Sequence, residues 1–141
     1  MTLQGLPLSG EEAAFVEAAR VAHIATTAPD GTPHVVPISP VLDLDRLLFA
    51  TEVRTAKVRN IKGNPSVTIC VDEYSEDWTA LKQVILYGAA YFIETGMEFE
   101  RDRNLLYGKF PQYSTDAPIE EGDSLIVEIE IERASTWGFG S

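Results

Sequence analysis

Cysteine, histidine, methionine and positive charge are all scarce in this chain. Cys70 is the only cysteine, so no internal disulfide can form. It sits in the apolar run 67–71, which reads as a small buried core residue in a reducing compartment. His23 and His34 are the only histidines, and without a cysteine pair they give no zinc-ligand spacing. His23 lies between Ala22 and Ile24 and reads as a satisfied structural histidine. Eleven Lys and Arg stand against 22 Asp and Glu, a net charge of −11, which excludes the broad basic surface that nucleic-acid binding needs. No apolar run approaches membrane-spanning length, and no basic stretch precedes a hydrophobic one at the N-terminus. The expectation is a soluble, cytoplasmic protein. Glycine-rich dinucleotide loops, Walker sequences and a Ser-His-Asp context are absent as well.

What the chain does have is one concentration of positive charge. Residues 46–62 hold five of the eleven Lys and Arg residues, with Glu52 the only acid among them. A strand carrying Leu47, Leu48 and Phe49 runs out at Thr51. A short helix follows, with Thr55 as N-cap and Gly63 as its C′ stop before Asn64-Pro65. The helix start offers unpaired N–H groups and a positive dipole end, within reach of Arg54, Lys57 and the Thr51 and Thr55 hydroxyls. These residues can make a phosphate cradle or a solvated basic face. A small anionic ligand suits the patch better than a polymer.

At 141 residues and nearly half hydrophobic, the chain has the size of one domain spanning residues 1–141. Ser9-Gly10-Glu11-Glu12 is a capping box ahead of a short helix. Strands follow at 21–27 and 33–42 around the turn Pro29-Asp30-Gly31, and then at 46–51. Beyond the basic helix come strands at 66–74 and 82–94, with Trp78 in the loop between them. A second capping box, Thr95-Gly96-Met97-Glu98, opens a helix toward Phe110. A loop spans 111–123, and alternating Leu125, Val127, Ile129 and Ile131 mark the last strand. The acidic clusters 11–12, 98–102 and 120–123 read as solvated faces or complements to helix dipoles. Strands dominate without regular strand-helix alternation, so the fold is mainly β, an antiparallel barrel with peripheral helices.

Four motifs in that order resemble the pyridoxamine 5′-phosphate oxidase-like, FMN-binding split β-barrel family. They are Asp30-Gly31-Thr32-Pro33-His34-Val35-Val36-Pro37; Phe49-Ala50-Thr51 through Lys57; Arg59-Asn60-Ile61 with Asn64-Pro65; and Trp78-Thr79-Ala80-Leu81-Lys82-Gln83-Val84 before Gly88. The resemblance covers about residues 10–138 and is similar in detail to small members that use FMN or the deazaflavin F420. It implies a six-stranded split barrel that dimerises, with cofactor sites at the subunit interface and a small-molecule substrate.

The resemblance also implies roles for single residues. Lys57 and Thr55 match the family's phosphate motif, Thr51 its strand-end Thr, and Gln83 a flavin-contacting Gln. His34 stands where other members carry a phosphate-binding Arg, and it can meet phosphate or face solvent. Ala56 replaces a basic residue, so Arg54 or Arg59 has to supply that charge. Val36, Pro37 and Ile38 can offer a shelf to the ring or simply line the barrel. Trp137, placed after the last strand, can cover a neighbouring subunit's ring or plug an interface. No residue reads as a catalytic acid, base or nucleophile, which suits a protein whose chemistry is carried by a flavin. The expected function is hydride transfer to or from a small organic substrate with FMN, or alternatively F420. Flavin binding or sequestration without turnover is the other reading. Pyridoxamine 5′-phosphate oxidation itself is not expected, because residues 137–141 lack basic groups for a substrate phosphate.

Overall fold

A computed structural model describes residues 7–140. Helix α1 (Gly10–Ala18) precedes strands β1 (Ala22–Thr27), β2 (Pro33–Ile38), β3 (Val41–Asp43) and β4 (Arg46–Glu52). Then come α2 (Ala56–Gly63), β5 (Ser66–Glu73), a 3-10 turn at Trp78–Ala80, β6 (Lys82–Ile93), α3 (Gly96–Lys109), α4 (Gln112–Asp116) and β7 (Ser124–Trp137). All seven strands join one antiparallel sheet in the order β2-β1-β5-β6-β7-β4-β3, curled into a half-barrel. Its two edge strands, β2 and β3, are consecutive in the chain, so the opening between them is the split.

Seven strands replace the expected six because residues 33–42 do not form one strand. β2 pairs with β1, whereas β3 pairs with β4 at the far edge, and the chain crosses between them at Ser39-Pro40. Pro40 has no N–H to donate to a ladder. Its carbonyl instead accepts a 2.7 Å hydrogen bond from Lys109 Nζ, which ties the crossing to the end of α3.

Period-two alternation builds two apolar layers. Leu47, Phe49, Val127, Ile129, Ile69, Val84 and Leu86 fill the barrel, with Ala13 and Val16 of α1 against them. Leu48 and Ile126 point the other way and pack under Phe99, Leu106 and Phe110 of the α3 region. The run Leu47-Leu48-Phe49 is therefore buried on both faces. Gly88 sits at a register shift between β6 and β7, where a Cβ would collide with the Glu130 carbonyl. The Ser9–Glu12 capping box forms in both directions, at 2.8 and 3.2 Å.

Other local expectations are corrected by longer-range contacts. Thr95 N-caps α3 without a side-chain bond. The Gly96 N–H donates to Glu121 Oε2 instead, at 3.0 Å. Gly63 is the last residue of α2 rather than its C′ stop, and Asn64 caps the helix with extended backbone. The loop 111–123 contains α4. Cys70 lies half-buried rather than in the core, because Val67, Ile69 and Val71 take the inward positions of β5. Burial and then Asp72 push its thiol pKa up. Opposite it in register, His23 is exposed rather than enclosed.

The acidic stretch 98–102 is not a solvated face either. Asp102 is fully buried, and neither of its oxygens has a hydrogen-bond partner among the described residues. Glu98, Asp102 and Glu128 bring oxygens within 4.8 Å of one another. Arg46 reaches in from β4, bonded to Glu128 and, at 2.7 Å, to Asp43. It stands 3.8 Å from Glu98 and 3.9 Å from Asp102. Arg101 also pairs with Asp43 at 2.7 Å, and lies 3.7 Å from Asp102. Four carboxylates thus face two guanidinium groups, an excess of negative charge that favours the protonated form of a buried carboxyl. Burial first, and Glu128 second, push Asp102 up to about 7.

A carboxyl whose folded pKa is raised holds its proton where the unfolded chain has already released it. Its contribution to stability is therefore present at low pH and is lost as pH rises from about 4 toward 7. Thermal unfolding should show the wild-type midpoint falling by on the order of 5 °C between pH 5 and pH 8, with Asp102→Asn flattening that slope. Parallel slopes in the two proteins would mean that Asp102 is ionised throughout.

Candidate functional site

The site begins where β4 ends and the chain turns into α2. Thr55 has extended backbone, and its hydroxyl accepts from the Val58 N–H at 3.4 Å. The Thr51 hydroxyl, on a buried residue, lies 3.4 Å from the Thr55 hydroxyl. No acid occupies the first turn of α2, which leaves its positive end uncompensated. Val58 and Ile61 bury the helix's apolar side, and Asn60 Nδ2 donates to Thr26 Oγ1 of β1 at 3.0 Å in a buried contact.

That anchoring leaves Lys57 half-buried at the helix start, with no ion pair among the described residues. Burial lowers its pKa, and the distant attraction of Glu52 only partly opposes this. Arg54 is exposed and also free of ion pairs among the described residues. Arg46, although part of the basic segment in sequence, is consumed by the carboxylate cluster.

Two cavities meet here. A groove of about 590 Å³ is lined by Thr51, Arg54, Tyr113, Ile119 and Asp123 among others. A recess of about 310 Å³ at the split is lined by Lys57, Pro37, Ile38, Ser39 and Arg20 among others. Ala50 and Tyr113 line both. The structure therefore brings together Thr51, Thr55, Arg54, Lys57, Pro37 and Ile38 of the expected residues. A phosphate fits this donor set: a half-buried ammonium without a counter-ion, paired hydroxyls and an open helix start.

The remaining expected residues are placed differently. Strand alternation splits the Val36-Pro37-Ile38 shelf, with Val36 packed against the barrel core and Pro37 exposed. His34 is half-buried directly opposite Thr26, on the face shared with Asn60's partner, and its Nδ1 is buried without a hydrogen-bond partner among the described residues. Arg59 is exposed and lines neither cavity.

Gln83 and Trp137 lie opposite each other on β6 and β7. Trp137 is the last residue of β7 rather than one beyond it, and is 56% exposed. Thr51 pairs with Leu125 at the other end of β7. At about 3.3 Å per residue the two positions are on the order of 40 Å apart along that strand. Within one chain, Gln83 and Trp137 do not join the cradle.

The sequence reading missed Tyr113, Ser39, Arg20 and the Asn60–Thr26 bond. Tyr113 connects the cavities because α4 turns it inward; Pro111 at the helix start was the available signal. Burial pushes its phenol pKa up, and a hydrogen bond with Ser39 partly offsets that.

Comparison with known proteins agrees with this architecture. A family model described as pyridoxamine 5′-phosphate oxidase matches residues 8–138. The 5a,11a-dehydrotetracycline/5a,11a-dehydrooxytetracycline reductase of Streptomyces rimosus is 28% identical over 96 residues, covering 64% of this chain and 68% of that one. The heme storage protein HutZ of Vibrio cholerae has the same fold at a TM-score of 0.80 and 19% identity, over 96% of this chain and 98% of that one. An F420 reductase follows at a TM-score of 0.69 and 22% identity, over 91% of this chain and 98% of the other. The match across residues 8–138 shows that the chain belongs to the pyridoxamine 5′-phosphate oxidase family.

Proposed function

We propose that this protein is a flavin-dependent oxidoreductase that holds FMN, or alternatively F420, and moves a hydride to or from a small organic substrate. The observation that carries the reading is Lys57: a half-buried cation with no ion pair among the described residues, at an open helix start beside two threonine hydroxyls. Lys57, Thr51, Thr55 and Arg54 hold the phosphate, and Pro37 and Ile38 border the adjoining space for the ring. His34 has a buried Nδ1 without a hydrogen-bond partner among the described residues but lines neither cavity, so no cofactor contact is assigned to it. The bound flavin supplies the redox chemistry, while the chain binds it, orients it and limits water access. FMN is favoured over F420 because Arg46 is already neutralised, which leaves few cations for a long acidic tail.

Mass and visible spectrum of the ligand that co-purifies from the native host test the cofactor. A haem Soret band in place of a flavin spectrum would overturn the reading. Flavin sequestration without turnover predicts the same contacts, and steady-state reduction and reoxidation with candidate donors separates it from catalysis.

A second copy of the chain is part of the proposal. Val35 is 60% exposed, and it shares the outer face of β2, β1, β5 and β6 with Pro37, Ala25, Cys70 and Ile85. Covering this face with another subunit would bury it and bring the partner's Gln83 and Trp137 to the cradle that a single chain cannot complete.

Lys57→Ala should weaken FMN binding by about 2 kcal/mol in a fluorescence titration, since it removes a charge-assisted contact. Salt should weaken the wild type more than the variant. Unchanged affinity in a folded variant would falsify the cradle.

Sedimentation equilibrium at micromolar concentration should give twice the 15.5 kDa chain mass. A monomer that still binds flavin tightly would remove the two-subunit site.

Trp137→Ala should change ring fluorescence and turnover more than affinity for the phosphate end, as expected when an aromatic cover is lost. Dissociation into subunits with unaltered ring fluorescence would make Trp137 an interface plug instead.

A further inference from the structure

Helix α3 and strand β7 bring together three carboxylates that the flavin reading does not use. Glu98 and Asp102 stand one turn apart on the same face of α3, and Glu128 of β7 completes the group. One oxygen from each lies within 4.8 Å of the other two. None of the three residues lines either cavity at the cradle.

Buried carboxylate oxygens need partners, and here several have none. Asp102 is fully buried, and neither of its oxygens has a hydrogen-bond partner among the described residues. Glu128, 7% exposed, has Oε1 on Arg46 and leaves Oε2 buried without a partner. Arg101 and Arg46 stand 3.7 and 3.9 Å from Asp102 Oδ1, beyond hydrogen-bond range. Three acceptor atoms are thus orphaned in one small space. A single proton bridges two of them and leaves the third. With Asp43, Glu98, Asp102 and Glu128 all ionised, Arg46 and Arg101 leave a formal charge of −2, which one divalent cation matches.

We propose that Glu98, Asp102 and Glu128 form a binding site for one hard divalent cation, Ca²⁺ in preference to Mg²⁺. The donors are all carboxylate oxygens, without histidine or cysteine, which suits a hard ion rather than a soft one. Ca²⁺ accepts an irregular oxygen shell completed by water, whereas Mg²⁺ demands a near-ideal octahedron. Arg46 holds Glu128 by Oε1, the kind of outer contact that orients a ligating carboxylate. Glu98, exposed in the first turn of α3, gives the ion a route from solvent. Bound there, the ion clamps α3 to β7. The site stands independently of the flavin reading.

The test is calorimetric titration of the full, chelator-stripped chain with CaCl₂ at about pH 8, where protons compete least. One saturable site per chain is expected. The thermal midpoint should rise by on the order of 5 °C at saturation, and should not do so in KCl of matched ionic strength. Asp102→Asn and Glu98→Gln should each weaken Ca²⁺ by at least about ten-fold. Glu98 is exposed, so its variant decides the matter even if Asp102→Asn fails to fold. Glu100→Gln, which removes an exposed acid of the same helix outside the group, should stay within about two-fold of the wild type. Mg²⁺ should bind at least about ten-fold more weakly than Ca²⁺.

Absence of saturable binding, or a midpoint that follows ionic strength alone, overturns the proposal. Wild-type affinity in Glu98→Gln and in folded Asp102→Asn also overturns it, as does an equal loss in Glu100→Gln, because the acidic surface at large would then be the binder. Mg²⁺ bound as tightly as Ca²⁺ overturns the assignment to Ca²⁺.

Discussion

The arrangement of the cradle depends on one buried polar contact, the hydrogen bond from Asn60 to Thr26. Both residues are buried, so leaving either unpaired would cost its desolvation without return. The bond fixes the rotation of α2 against β1. With that rotation set, Val58 and Ile61 face the barrel, Thr55 comes beside Thr51, and Lys57, one turn before Asn60, is carried to the rim of the recess. A slip by one residue would bury the ammonium or expose Ile61, and the apolar contacts reinforce the polar one.

The chain also sorts its few cations into two kinds. Arg46 and Arg101 are absorbed by Asp43, Glu98, Asp102 and Glu128, in a network joining β3, β4, β7 and α3. Burial works against the charge on Arg46, but its bonds to Glu128 and Asp43 more than offset this and hold its pKa above the ordinary value. Lys57, Arg54 and Arg20 form no such pairs among the described residues and line the cavities. In a strongly acidic protein, unpaired cations in concave sites make local positive potentials that an anion can exploit.

Helix α3 links the two groups, since it carries Glu98, Arg101 and Asp102 and its last residue, Lys109, bonds to the Pro40 carbonyl at the Ser39-Pro40 crossing. Lys109 ties the end of α3 to that crossing, Arg20 ties the α1–β1 connection to the same end, and α3 packs on the outer layer through Phe99 and Leu106. The carboxylate network on α3 and the wall of the recess therefore belong to one connected support. Gln83 and Trp137, at the far end of β6 and β7, are outside it.

Several elements were legible in the sequence because their causes are local. The Ser9–Glu12 box, the Thr55 cap, the alternation from Leu125 to Ile131 and the exposed or half-buried cations of α2 each follow from residues within a turn or two of one another. Where the cause is distant, local pattern misled. Cys70 has apolar neighbours, Ile69 and Val71, that suggest a core position, yet in β5 Val67, Ile69 and Val71 take the inward face and Cys70 shares the other with Thr68 and Asp72. Glu98 and Asp102 read as ordinary helix acids, and only Arg46 and Glu128 arriving from other strands made them a buried cluster. Sequence by itself determined the strand-rich architecture, the helix start and the cation beside it, because backbone propensity and capping act over a few residues. Tertiary structure alone decided the split at Pro40, the recess between Arg20 and Lys57, and the distance of Trp137 from the cradle, because each depends on which strands pair.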